Sequence, residues 1–220
     1  MKPDFDLDVV LHEVEKAIQP YPKAAMFELS ERGYDTLFEQ LISCIISIRT
    51  LDETTIPVSL RLFERARTAE QLLAIDIPTL TDLLYGTMYP DQKAYTMHGI
   101  ADRIINEFGG ELPANYETLI SLKGVGPKCA NLALGVATGQ AAISVDVHVH
   151  RVVNRWGYVQ TKQPEQTLKK LEGQVPREQW VAINRLLMPF GKHICTGTLP
   201  RCSTCVVLPW CEQVGVDQHR

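Results

Sequence analysis

LKGVGPKCANLAL, residues 122–134, sets two glycines, a proline and a lysine between two apolar runs. A helix ending near Leu122 meets a turn at Gly124 and Gly126, and Pro127 restarts a helix at its favoured first position. Glycine lets a backbone adopt positive φ and lets a ligand approach closely. Amides at a Gly-x-Gly turn before a helix attract an anion, and a phosphate is one. Lys128 then sits where the helix dipole disfavours an ammonium. Two readings follow from the chemistry alone. Something anionic binds beside the lysine, or the position favours the free amine over the ammonium.

Outward from this turn, helical periodicity dominates. Val9, Val10, Val14 and Ile18 are spaced for one helix face, and LFEQLISCIISIRTLD is apolar nearly all round, as a buried core helix is. VSLRLFERA, AEQLLAI, IPTLTDLLY and YTMHGIADRIINEFGG read as short amphipathic helices. NYETLISL, VHVHRVVNRWG, PEQTLKKLEGQVP and EQWVAINRLLMPFGKHIC follow. Alternating runs are scarce, and AAISVD reads as a connector. The fold class is therefore all-α, with about ten short helices and a weak boundary near 138–144.

Composition narrows the class. The 220 residues are 45% apolar and 22% charged, ordinary for a globular protein. No apolar run approaches the roughly 18 residues that span a bilayer. The first 23 residues carry several acids and no apolar core of a signal peptide, so an intracellular, cytoplasmic setting without a membrane partner is expected. Disulfides are then not expected, and six cysteines need another use. The net charge of −4 is a weak guide to partners, because binding depends on where charge sits.

Cys195, Cys202, Cys205 and Cys211 are spaced C-x6-C-x2-C-x5-C within 17 residues. A four-cysteine zinc site usually has two short C-x2-C pairs, and this array has one. It also differs from the common ferredoxin run. The segment has no clear periodicity, so a cross-link through a metal centre would order it. Cys44 and Cys129 lie among apolar residues and read as core thiols.

The pattern L-x-G-V-G-P-K before an apolar helix resembles the helix-hairpin-helix motif of DNA repair enzymes. The cysteine spacing resembles the 4Fe–4S signature of the endonuclease III family of DNA glycosylases. VDVHVHRVVNRWG resembles that family's V-D-T-H-V-x-R segment, departing at Val147, and MYPDQKA (88–94) resembles its G-x-x-x-x-K-A loop. The likeness runs from about Leu37 to Cys211.

This resemblance implies two helical domains flanking a DNA-binding groove. One is a six-helix bundle carrying the hairpin, residues 32–138. The other joins residues 1–31 to 139–220 and holds the 4Fe–4S cluster on the four cysteines. Lys128 and Asp146 would face each other across the groove. Lysine at that hairpin position marks the family's bifunctional enzymes, glycosylases that also cleave the strand. An amine can attack the sugar C1′, expel the base and lead to β-elimination, while Asp146 stabilises growing positive charge or relays a proton. The expected partner is double-stranded DNA with damaged bases or abasic sites, met by a nucleoid-associated monomer that flips the base out. Contacts are expected from Lys123, Gly124, Val125, Gly126, Lys93, His148, Arg151 and Arg201. Oxidised pyrimidines are the implied lesions.

Simpler roles stand beside these. Lys128 could contact phosphate, and Asp146 could only cap the helix that starts at Val147. His148 and His150, two apart, do not share a helix face. Arg49 stands where the resembled family has Gln, a residue that fills the gap left by the flipped base. It would read that gap or touch phosphate. A monofunctional or mismatch-type glycosylase, and a non-catalytic DNA-binding protein with a metal staple, are the alternatives.

Overall fold

The computed structural model describes residues 3–220. Among them the chain forms twelve α-helices and two single 3₁₀ turns, with no strand. No helix is long and apolar enough to cross a membrane. The chain divides into two compact units. Ala25–Gln140 forms one, and the chain up to Ala24 together with Ala141–Arg220 forms the other.

The first helix, α1 (Leu7–Ile18), belongs to the unit built from both ends of the chain. Asp6 caps it, its Oδ1 accepting the Asp8 and Val9 amides. The central unit then runs α2 (Ala25–Glu31), α3 (Leu37–Ser47), α4 (Asp52–Phe63), α5 (Ala69–Leu73), α6 (Ile77–Leu83), α7 (Pro90–Phe108), α8 (Tyr116–Ser121) and α9 (Pro127–Thr138). Helix α3 is its axis. A capping box between Thr36 and Glu39 starts it, and Leu41, Ile42, Ile45 and Ile46 are all buried. It packs on α9, α4 and α7, which is why it is apolar nearly all round. Cys44 and Cys129 are free thiols buried in this core.

Residues 25–31, expected with the outer domain, form α2 and pack in the central unit. Met26 and Leu29 are buried there, and the Gln40 side-chain amide donates to the Met26 and Tyr34 carbonyls. Helix α4 also begins earlier than its apolar pattern suggests and contains Pro57. Pro57 is exposed, so the amide it lacks falls on the wet face of the helix.

In the unit of the two chain ends, α10 (Val147–Trp156), α11 (Pro164–Gln174) and α12 (Trp180–His193) join α1. Val10, Val14, Val149, Val152, Trp156 and Phe190 share its core. AAISVD (141–146) is a connector without regular secondary structure between α9 and α10.

Candidate functional site

The turn at 122–127 is built from both sides. Leu122 is buried and caps α8, and the Val125 amide donates to its carbonyl over 3.1 Å. Val125 itself points into the core. Its amide and side chain are thus engaged within the turn, so neither offers the DNA contact the sequence suggested. Gly124 has φ +86°, and a Cβ there would lie 2.8 Å from the Thr96 Cγ2. Gly126 is different: its backbone is extended, and a Cβ would meet nothing within 4 Å. Nothing inside the protein requires glycine at 126. The open room lies at the positive end of α9, where an anion is favoured. Lys123, Gly124 and Gly126 are exposed, and half-buried Lys128 is the second residue of α9, behind Pro127.

Asp146 caps α10. One oxygen, Oδ1, accepts both the His148 amide (2.9 Å) and the Val149 amide (2.8 Å). The cap reading is therefore realised, and Oδ2 stays outside it. His148 is half-buried, and burial pulls its pKa below the usual histidine range against the opposing pull of Asp146. The Arg151 Nη2 lies 3.1 Å from the His148 Nδ1. Arginine only donates, so Nδ1 accepts and the ring is the neutral tautomer with its proton on Nε2. His150 diverges, its Nδ1 lying 2.6 Å from the Thr167 hydroxyl.

Three of the expected phosphate contacts sit differently from one another. Arg151 donates through Nε to the Cys195 carbonyl (3.2 Å) and through Nη2 to the Gly191 carbonyl (2.8 Å). It ties α10 to the end of α12 rather than presenting a free fork, because helix-end carbonyls need donors. Arg201 is exposed and donates to the Tyr21 hydroxyl at 3.2 Å. Lys93 is only 5% exposed. Its Nζ donates to the Ile46 carbonyl (2.7 Å) and the Thr50 hydroxyl (2.9 Å), so it does not reach for phosphate. Residues 90–94 of the MYPDQKA segment form the first turn of α7, and Lys93 there bonds to the last turn of α3. Arg49 is exposed, with φ +53°.

The four C-terminal cysteines line one hollow, with Arg155 and Trp156 beside them. Arg155 organises this loop. It donates to the Thr196 carbonyl (2.6 Å) and the Gly197 carbonyl (2.8 Å), and reaches the Cys195 Sγ at 3.6 Å. Its own carbonyl accepts the Val214 amide at 3.0 Å. The sequence reading passed over Arg155. Its signal was the spacing of four from Arg151, which puts both on one face of α10. Burial raises the Cys195 thiol, and burial pushes the Cys205 thiol up to about 11. Both would shed a proton on binding a metal. Among the described residues, no three Cys, His, Asp or Glu side chains converge where a single ion could sit. A lone zinc needs its sulfurs drawn to about 2.3 Å from one point. Four cysteine thiols around one hollow are a donor set that an iron–sulfur group takes, since thiolates are its usual ligands.

Known proteins share this architecture. The profile of the HhH-GPD superfamily base excision DNA repair proteins matches residues 42–177. Endonuclease III of Thermotoga maritima is 38% identical over 175 residues, covering 80% of this chain and 82% of that protein. Endonuclease III-like protein 1 of Gallus gallus is 36% identical over 172 residues, and the match spans 77% of this chain and 61% of that longer protein. A solved structure of a trapped Endonuclease III–DNA covalent intermediate superposes with a TM-score of 0.83 at 28% identity, covering 94% of each chain. With the superfamily profile matching over half of its length and an endonuclease III relative matching along most of it, this chain belongs to the endonuclease III family of HhH-GPD base excision DNA repair proteins.

Proposed function

We propose that the protein is a bifunctional DNA glycosylase and AP lyase that removes oxidised pyrimidines from duplex DNA, acting as a monomer. The observation that carries this reading is Lys128, a half-buried amine on the first turn of α9 beside the open room at Gly126. A phosphate of the damaged strand fits that room, held by the exposed turn and the α9 dipole. Lys123 adds charge at the rim, and Arg201 is a second exposed cation.

In this scheme the damaged nucleotide leaves the stack. The Lys128 amine forms a bond to C1′ as the bond from C1′ to the base breaks and the base leaves with its electron pair. Asp146, through the oxygen left outside its cap, steadies the positive charge that builds on the sugar. The C1′–O4′ bond then breaks, O4′ taking the proton that the nitrogen sheds, and an iminium is left between Lys128 and C1′. Loss of a C2′ proton then expels the 3′ phosphate by β-elimination, and hydrolysis frees the amine.

Cys195, Cys202, Cys205 and Cys211 are the residues that would hold a 4Fe–4S cluster. When bound, it would supply iron–sulfur bonds that tie residues 195–211 into one ordered loop. Arg151 and Arg155 carry that loop on α10.

Borohydride trapping on duplex DNA with an abasic site tests the reading. The wild-type chain should give a covalent adduct, and Lys128→Ala should give none while still binding DNA. An adduct of wild-type yield from Lys128→Ala would assign the nucleophile to another amine. No adduct from the wild-type chain would leave the monofunctional alternative in its place.

A further inference from the structure

Lys93 is a buried amine that the chemistry above does not use. Among the described residues no carboxylate pairs with it, and burial alone draws it down to about 8. Burying such a group costs stability unless its bonds achieve something. They run to two places. The Ile46 carbonyl lies in the last turn of α3, where carbonyls lack helical partners and a cation is favoured. The other bond goes to the Thr50 hydroxyl.

Thr50 is a node. Its Oγ1 accepts from the Lys93 Nζ at 2.9 Å and from the Met88 amide at 3.3 Å, and donates to the Ile48 carbonyl at 3.2 Å. One donor and two acceptor positions are thereby filled. The turn after α3 and the turn before α7 are joined through this single hydroxyl.

One residue from the node on each side stands a non-glycine residue in the left-handed region, Arg49 at φ +53° and Tyr89 at φ +55°. Such conformations persist only where surrounding bonds impose them. The Arg49 guanidinium lies over the Tyr89 ring, 6.0 Å from its centre. Around the pair the surface is apolar: Leu51 is 70% exposed, Tyr85 78%, and Met88 and Ile48 are exposed as well. An aromatic ring can stack on a base and a guanidinium can bond a base edge.

We propose that Lys93 is a positioning residue which, through Thr50, holds Arg49 and Tyr89 as one unit that enters the duplex at the lesion and sets discrimination of the base opposite it. The proposal rests on the repair reading above. It differs from a simple stabilising role, because the turn could relax without unfolding α3 or α7, and only the constrained turn sets both side chains together.

Equilibrium binding tests it without chemistry. Four duplexes carry the same stable tetrahydrofuran abasic analogue and differ only in the opposite base. The wild-type chain should show a spread of Kd across them. Lys93→Met and Thr50→Val should each shrink that spread by about fivefold, the effect of losing an ordinary hydrogen bond. Lys93→Met should shrink it no further in an Arg49→Gln background, since the two act on one unit. Equal weakening of all four duplexes, with the spread kept, would overturn the proposal, as would a wild-type chain with no spread. If Lys93→Met does not fold, Thr50→Val decides by the same criterion. Borohydride trapping by the wild-type chain reports separately on the enzyme reading, so the two can fail independently.

Discussion

Gly124 is packed against Thr96 so closely that a Cβ on it would stand 2.8 Å from the Thr96 Cγ2, and its φ of +86° strains any other residue. Two residues along, the same addition at Gly126 meets nothing within 4 Å. Gly124→Ala should therefore lower stability by about 1–3 kcal/mol, measured by denaturant unfolding. Gly126→Ala should unfold like the wild type and yet bind abasic duplex more weakly. Full DNA affinity in Gly126→Ala would mean that no phosphate approaches there.

Asp146 combines a cap with a proposed catalytic charge, and two substitutions separate them. Asparagine keeps an oxygen for the His148 and Val149 amides. Alanine loses the cap, at about 1 kcal/mol. Asp146→Asn should thus be nearly as stable as the wild type and slow in base excision. It should be less impaired at cleaving a preformed abasic site, where no base is expelled. If Asp146→Asn excises normally and only Asp146→Ala is impaired, the residue is a cap alone.

Arg49→Gln tests what the exposed guanidinium reads. If it enters the gap, the ratio of excision rates among duplexes differing in the opposite base should change. If it touches only phosphate, all duplexes should weaken alike and the slope of log affinity against log salt should fall by about one.

Lys93 also predicts a pH dependence of stability. Its folded pKa, about 8, lies below the ordinary lysine value of 10.5. The unfolded chain therefore binds more protons between these values. Raising the pH from about 8 to about 10 should favour the folded state at this site. Below about 8 both states are charged and its full desolvation cost remains. In Lys93→Met that dependence should vanish, so the stability of the wild type relative to Lys93→Met should rise across the window. A flat difference would mean that the amine is not desolvated in solution.

The cysteine array predicts a metal content. Anaerobically purified protein should carry about four irons per chain, as a Cys₄-ligated 4Fe–4S cluster does. Cys202→Ser should lose iron and expose the loop after α12 to protease. Stoichiometric zinc without iron would refute the assignment.

Much of this was legible in the sequence because it depends on local pattern. Helix α3 announced itself by Leu41, Ile42, Ile45 and Ile46, and the hairpin by its glycines and Pro127. Helix α2 was not, since seven residues between Pro22 and Gly33 are too short for a period to stand out. The fates of charged residues were least legible. Lys93, Arg151 and Lys123 look alike in a string, yet only Lys123 is exposed. What separates them is which carbonyls lie nearby, Ile46 for Lys93 and Gly191 and Cys195 for Arg151. Those partners lie 47, 40 and 44 residues away in the chain. Tyr89 was hidden for a related reason. Its left-handed backbone follows from bonds made by Met88 and Thr50, not from its own side chain.

The unit formed by both ends of the chain has a consequence during synthesis. Ala25–Gln140 has its own core and can be complete while the ribosome is still adding α10. Helix α1 emerges before the central unit, but Val10 and Val14 are buried with residues of α10 and α12, which emerge more than a hundred residues later. A helix made before the central unit thus finds its place only after that unit is finished. A nascent chain stalled before Trp180 would hold a finished central unit and an unpartnered, apolar-faced α1, which makes that stage the one most exposed to chaperone capture.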